Sequence, residues 1–128
     1  MNWKLVLIGI TILLCLGVGL PWGRPAEKPL NLTILHTNDV HAHYAPFPAG
    51  AAETAGGAAR IASLVATVRN EAKHVVLLDA GDQFQGSLYF HVGGAEVVAG
   101  VMNAMGYDDM VVGNHEFDSG PQELARLV

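Results

Sequence analysis

The chain has 128 residues, 51% of them hydrophobic and 15% charged, with a formal net charge of −5. That length fits one small domain or a piece of a larger one, and the apolar content excludes a disordered chain, which buries too little surface to offset its ordering entropy. The seven basic residues are scattered and form no stripe for a phosphodiester backbone, which excludes a nucleic-acid polymer as partner.

The first predicted element is an export segment. Lys4 precedes an uncharged run from Leu5 to Leu20, LVLIGITILLCLGVGL, which Pro21, Trp22 and Gly23 interrupt. A basic start, an apolar centre and a polar exit follow the order of a signal peptide, and the run through Gly23 also reaches the lower bound of a membrane span. Residues 1–23 are therefore read as a signal peptide, with Gly17 and Gly19 before a weak cleavage site, or as an uncleaved N-terminal anchor. Either reading places the protein outside the cytoplasm: periplasmic, secreted or on the cell surface. Cys15, the single cysteine, fills the apolar run. Beyond it neither a disulfide nor a thiolate metal site can form, so a metal would have to be held by His, Asp, Glu or Asn. RPAEKPLN (24–31) has two prolines and alternating charge and reads as an exposed linker, with the domain starting at Leu32.

Strand and helix signals then alternate. LTILHTN (Leu32–Asn38) predicts a first strand, and HVVLLDAG (His74–Gly81) a second, whose continuous apolar run predicts burial on both faces. Between them Ile61, Leu64, Val65 and Val68 recur at i, i+3, i+4 and i+7, a helix face. A second helix is predicted from Val97, Val98, Val101, Met102 and Met105, ended by Gly106; at helical spacing the methionines read as core and not as soft ligands. DMVVGN (Asp109–Asn114) predicts a third strand, and PQELARLV the first turns of another helix. The order β-α-β-α-β implies an α/β fold with a parallel sheet and right-handed crossovers.

In open α/β sheets functional residues gather beyond the carboxyl ends of the strands. Each predicted strand ends there in a polar signature: NDVHAH, DAGDQFQG and GNHEFD. Neighbouring strands would bring Asp39, His41, Asp82, Asn114, His115 and Asp118 onto one patch. Asp39 and His41, at i and i+2, turn to one side of an extended segment and can grip an ion between carboxylate and imidazole. Asp82 follows a residue without a side chain, Gly81, which lets the loop approach an ion, and its two oxygens can bridge two cations. Asn114 adds a neutral amide oxygen where further negative charge would be excessive. Such hard oxygen and imidazole donors favour Mn, Zn, Fe, Mg or Co over copper(I). His43 reads as solvent-facing, and His36, His74 and His91 as structural, His91 in a loop. GGAAR (56–60) reads as a tight turn with a surface arginine in preference to a phosphate cradle.

LTILHTNDVHAHY, GGAARIASLV, VVLLDAGDQFQGSLYF and GYDDMVVGNHEFDSG resemble the calcineurin-like metallophosphoesterases, in particular secreted 5'-nucleotidases in the N-terminal part of their catalytic domain. The resemblance runs from Leu32 to Val128. It implies a four-layer α/β/β/α sandwich, of which this chain holds the first β-α-β-α-β portion, with 32–128 a truncated N-terminal part of the catalytic domain. It further implies two divalent metal ions, Zn, Mn or similar: Asp39 and His41 on the first, Asp82 bridging, Asn114 on the second, and His115 with Asp118 as a catalytic dyad. The implied reaction is hydrolysis of nucleoside 5'-monophosphates to nucleoside and phosphate by a two-metal-activated hydroxide, with a small nucleotide as substrate. Contact with a membrane is expected only through an uncleaved N-terminal segment. Two alternatives stay open: a related exported hydrolase acting on nucleotide sugars, 2',3'-cyclic nucleotides or sulfur esters, and a non-catalytic exported metal-binding module, against which the intact set of site positions argues. The family draws further histidines for the second ion from later strands, and no histidine follows His115, so the 128-residue chain by itself is expected to be inactive. Glu116 receives no role.

Overall fold

The computed structural model describes residues 27–128, so the expected export segment lies outside the described residues. In chain order these form β1 (Thr33–Thr37), β2 (Phe47–Pro48), β3 (Thr54–Ala55), α1 (Ala58–Glu71), β4 (Val75–Asp79), α2 (Leu88–Met105), β5 (Asp109–Met110), a 3-10 turn (His115–Phe117) and α3 (Pro121–Leu124). Asn31–Val128 is one compact unit. Among the described residues no helix is long and apolar enough to cross a membrane.

The β-branched and apolar runs make β1 and β4, which pair in parallel with Leu35 opposite Leu77 and Thr37 opposite Asp79. β5 joins β4 on its other side, also parallel, giving the order β1-β4-β5. Successive side chains alternate between sheet faces. Leu77 is 1% exposed and Ile34 is 58% exposed, so the helices cover one face only. Within the described residues Leu77 and Asp79 are the buried members of β4, and Val75, Val76 and Leu78 are half-buried. The third strand is also shorter than its sequence suggests. Val111 N still donates to Asp79 O, after which Gly113 N turns to Glu116 Oε2 and draws the chain off the sheet.

α1 forms where the periodicity places it, with Val65 buried, although Leu64 is 63% exposed and lies off the packed face. α2 begins upstream of the predicted helix, capped by Ser87, whose side chain accepts from Tyr89 N. His91 therefore sits in a helix and not in a loop. Gly94 interrupts α2 with φ 60° and ψ −158°, and Glu123 Oε1 accepts the freed Ala95 N–H at 2.7 Å. Met102 and Met105 are core, and Gly106 ends the helix in the left-handed conformation. β2 and β3 form an antiparallel hairpin with no counterpart in the sequence reading. Arg60 binds it through Thr54 O and Thr54 Oγ1, both at 2.7 Å, a structural use of the GGAAR arginine.

The core joins Ala42, Phe84, Phe90, Ala95, Val98 and Met102, with the Phe84 and Phe90 rings stacked at 4.5 Å. Ala42 and Phe84 belong to the loops that follow β1 and β4. Packing therefore anchors those two loops directly, and whatever they carry at their tips inherits that rigidity.

Candidate active site

The segment 81–84 is the hub of the loops beyond the strand ends. Its carbonyls face the loop after β1: Gly81 O accepts Asp39 N at 3.0 Å, Asp82 O accepts His41 N at 3.0 Å and Gln83 O accepts Ala42 N at 2.9 Å. Its amides face the loop after β5 through the Glu116 carboxylate. Oε2 accepts Asp82 N at 2.9 Å and Gly113 N at 2.7 Å, while Oε1 accepts Gln83 N at 2.7 Å and Phe84 N at 3.0 Å. Backbone geometry at the hub is unusual. Asp39, His41, Ala42, Asp82 and Gln85 all have positive φ, between 47° and 70°, in a region where an L-residue costs about 1–3 kcal/mol and which clusters at functional sites.

All six residues expected at the site meet here. Ligand atoms of His41, Asp82 and His115 lie within 4.8 Å of one another, and the His41 and His115 rings make an edge contact at 5.0 Å. Asp39 stands at the rim, its Oδ1 3.9 Å from His41 Nε2 and its side chain 60% exposed. His115 N donates to Asp82 Oδ1 at 3.0 Å. With its amide oriented to satisfy both neighbours, Asn114 donates to Asp82 Oδ2 at 3.2 Å and its oxygen faces His115 N at 3.3 Å. Asp118 Oδ2 lies 2.6 Å from His115 Nδ1. That bond, opposed by desolvation and joined by the charges of Asp118, Asp82 and Glu116, raises the His115 pKa above its ordinary value.

Chemically the donors fit a divalent cation. His41 Nδ1 faces the Phe84 carbonyl at 3.0 Å, so Nδ1 carries the proton and Nε2 keeps its lone pair, the arrangement metal-binding imidazoles adopt. Asp82 contributes two carboxylate oxygens beside it, and Asp39 a third carboxylate oxygen next to His41. His115 is the member drawn into the ligand cluster from an expected catalytic role. Asp118 holds its ring at Nδ1 and, in the metal-free protein, favours the protonated form.

Two buried carboxylates escaped the sequence reading. Glu116 is 0% exposed and spends both oxygens on four amides. Its local cue is the G-x-x-E spacing from Gly113, the back half of a capping box, in which a Glu side chain reaches back to an amide three residues earlier. Asp79 ends β4. Its Oδ1 accepts Gly81 N at 2.9 Å, and its Oδ2 accepts Thr37 Oγ1 at 2.5 Å and Gln83 Nε2 at 2.7 Å. Tyr107 and Tyr44 extend this network through Thr37 and Gln83. Burial pushes both phenols up, which keeps them as hydroxyl groups. Gly81 also serves the approach of two loops: a Cβ there would meet Gly113 N at 2.6 Å and Val111 O at 3.0 Å.

Comparison with known proteins gives the family. The calcineurin-like phosphoesterase family model matches residues 32–127. Bovine 5'-nucleotidase is 48% identical over 106 residues, 78% of this chain and 18% of the relative. The structure of a 5'-nucleotidase precursor from Thermus thermophilus superposes with a TM-score of 0.68 at 44% identity, covering 75% of this chain and 20% of that one. The NAD nucleotidase of Haemophilus influenzae superposes with a TM-score of 0.70 at 34% identity, covering 75% and 18%. The chain spans about a fifth of the length of the relatives it matches. On the family match, these identities and the parallel α/β architecture they share, the chain belongs to the calcineurin-like phosphoesterases, a family of metal-dependent hydrolases.

Proposed function

We propose that residues 32–128 form the N-terminal part of the catalytic domain of an exported 5'-nucleotidase, preceded by an export segment at 1–23 and a linker at 24–31. In this reading Asp39 and His41 hold one divalent cation, Asp82 bridges to a second and Asn114 serves the second, while His115 and Asp118 act on the phosphate. The observation that supports it best is the convergence of three strand-end motifs, with His41 Nε2 left open by the Phe84 carbonyl. Two bound cations would supply Lewis acidity at the phosphoryl oxygens and a water acidic enough to attack near neutral pH. The protein's own groups do the rest. Asp118 holds a proton on His115 Nδ1, and the opposite edge of the ring offers Nε2–H to the oxygens that gain charge as the ester bond breaks. Asp82, tied through its Oδ1 to His115 N, keeps that ring in register with the cation ligands.

The test uses the purified full-length protein and AMP. His115→Ala is expected to lower kcat by roughly 10²–10⁴, the contribution of a positioned acid or electrostatic group, with metal content near normal; full activity in the metal-loaded variant would exclude the role. Asp82→Ala should deplete both ions and Asn114→Ala mainly one, as read by metal analysis. Equal stoichiometric loss in the two would exclude the bridging assignment. A second reading, in which the same residues open a dinucleotide, draws on the likeness to the NAD nucleotidase. Comparing AMP with NAD as substrates separates the two.

A further inference from the structure

Glu116 is fully buried, and every hydrogen bond it makes is to a backbone amide. An unpaired buried carboxylate is costly, and here four N–H groups, three of them from consecutive residues, supply the compensation. Successive amides around a left-handed residue form a nest for anions, and Asp82, at φ 59°, is the left-handed residue. The nest is filled by the chain itself. Its geometry fixes two atoms that matter next door. The peptide whose N–H is held at Asp82 places the Asp82 carboxylate, which in return accepts His115 N. Phe84, held by its N–H on Oε1, aims its carbonyl at His41 Nδ1 and so selects the tautomer with Nε2 open.

We infer that Glu116 is a positioning residue for the cation site: by clamping the amides of Asp82, Gln83, Phe84 and Gly113 it presets both the Asp82 carboxylate and the His41 tautomer before any cation arrives. The inference rests on the proposed reading of Asp82 and His41 as cation ligands. Glu116 itself is not a ligand, since both of its oxygens are spent on amides. Glu116→Gln replaces one accepting oxygen by an NH₂ group that faces N–H donors, so half of the clamp is lost with little change in volume.

Calorimetric titration of Mn into the metal-free full-length protein, well below its melting temperature, tests this. Glu116→Gln is expected to bind Mn 10–100-fold more weakly than wild type, the range for partners that orient metal ligands. Val65→Ala, a cavity under α1 outside the cluster that packs Phe84 and Ala42, should melt earlier yet keep wild-type affinity. Wild-type affinity in folded Glu116→Gln, or an equal loss in Val65→Ala, overturns the inference alone. A wild type that binds no Mn overturns the metallohydrolase reading and the inference with it. Where Glu116→Gln does not fold, hydrogen exchange on metal-free wild type decides: protection of the Asp82, Gln83, Phe84 and Gly113 amides comparable to that of β4 supports the clamp, and protection that appears only with Mn overturns it.

Discussion

Asp118 favours the protonated form of His115. Its carboxylate at 2.6 Å from Nδ1 raises the folded pKa of the ring. A raised folded pKa means that the native state holds the proton more tightly than the unfolded chain does. The stabilising contribution is therefore complete below the ordinary imidazole pKa and is lost as pH rises through the raised folded value. In the metal-free protein His115 should titrate above the ordinary imidazole range by NMR, and Asp118→Asn should bring it down. The melting-temperature gap between wild type and Asp118→Asn should be widest on the acid side of that range and close on the alkaline side. A gap that widens with rising pH would contradict the assignment.

At the level of elements, the approach of the β4 and β5 loops is limited by Gly81, with φ 99° and no room for a Cβ. Gly81→Ala should cost about 1–3 kcal/mol, the range for a residue forced into a sparsely populated conformation, and thermal melting should show it. Gly100 is the opposite case: it lies on α2 with nothing within 4 Å of where a Cβ would stand. Gly100→Ala should raise stability by about 0.5–1 kcal/mol through helix propensity. A matched pair of melts in which both substitutions destabilise would contradict this picture of the two positions. Patterns of this kind are partly readable in the sequence. The apolar runs at Ile34 and Val75 to Leu78 announce β1 and β4, Val97 to Met105 announces the second half of α2, and the three strand ends announce where Asp39, Asp82 and His115 collect. Periodicity reports which way a side chain faces and says nothing of what a backbone amide bonds to. Glu116 and Asp79 are therefore invisible to it as clamps, and the left-handed turn at Asp39 and His41 looks like extended chain. The break at Gly94 depends on Glu123, a tertiary partner that lies well downstream in the sequence. The same holds for β5, which ends early because Gly113 is claimed by Glu116.

Over the whole molecule, charge makes phosphate binding conditional. The formal net charge is −5, and the site gathers the carboxylates of Asp39, Asp82 and Asp118. The arginine ion pairs among the described residues lie elsewhere, Arg69 with Asp108 and Arg126 with Glu123. A phosphate dianion in the candidate site is thus set against three carboxylates, with those arginines paired elsewhere. Chelation is expected to abolish binding of inorganic phosphate while leaving the fold intact, and Mn at a hundredfold excess over its dissociation constant should return about 2.7 kcal/mol of stability by mass action. Phosphate affinity that survives chelation would show that the protein recognises the anion unaided. The hub also sets an order of assembly. Its carbonyls rest on residues some 40 positions earlier and its amides on a carboxylate more than 30 positions later. During synthesis, which proceeds N-terminus first at about 5–20 residues per second, Asp39 and His41 emerge well before the segment that will orient them, and that segment waits in turn for Glu116. A half-made chain consequently lacks the contacts that would preset the proposed cation site, so metal capture is expected to follow folding.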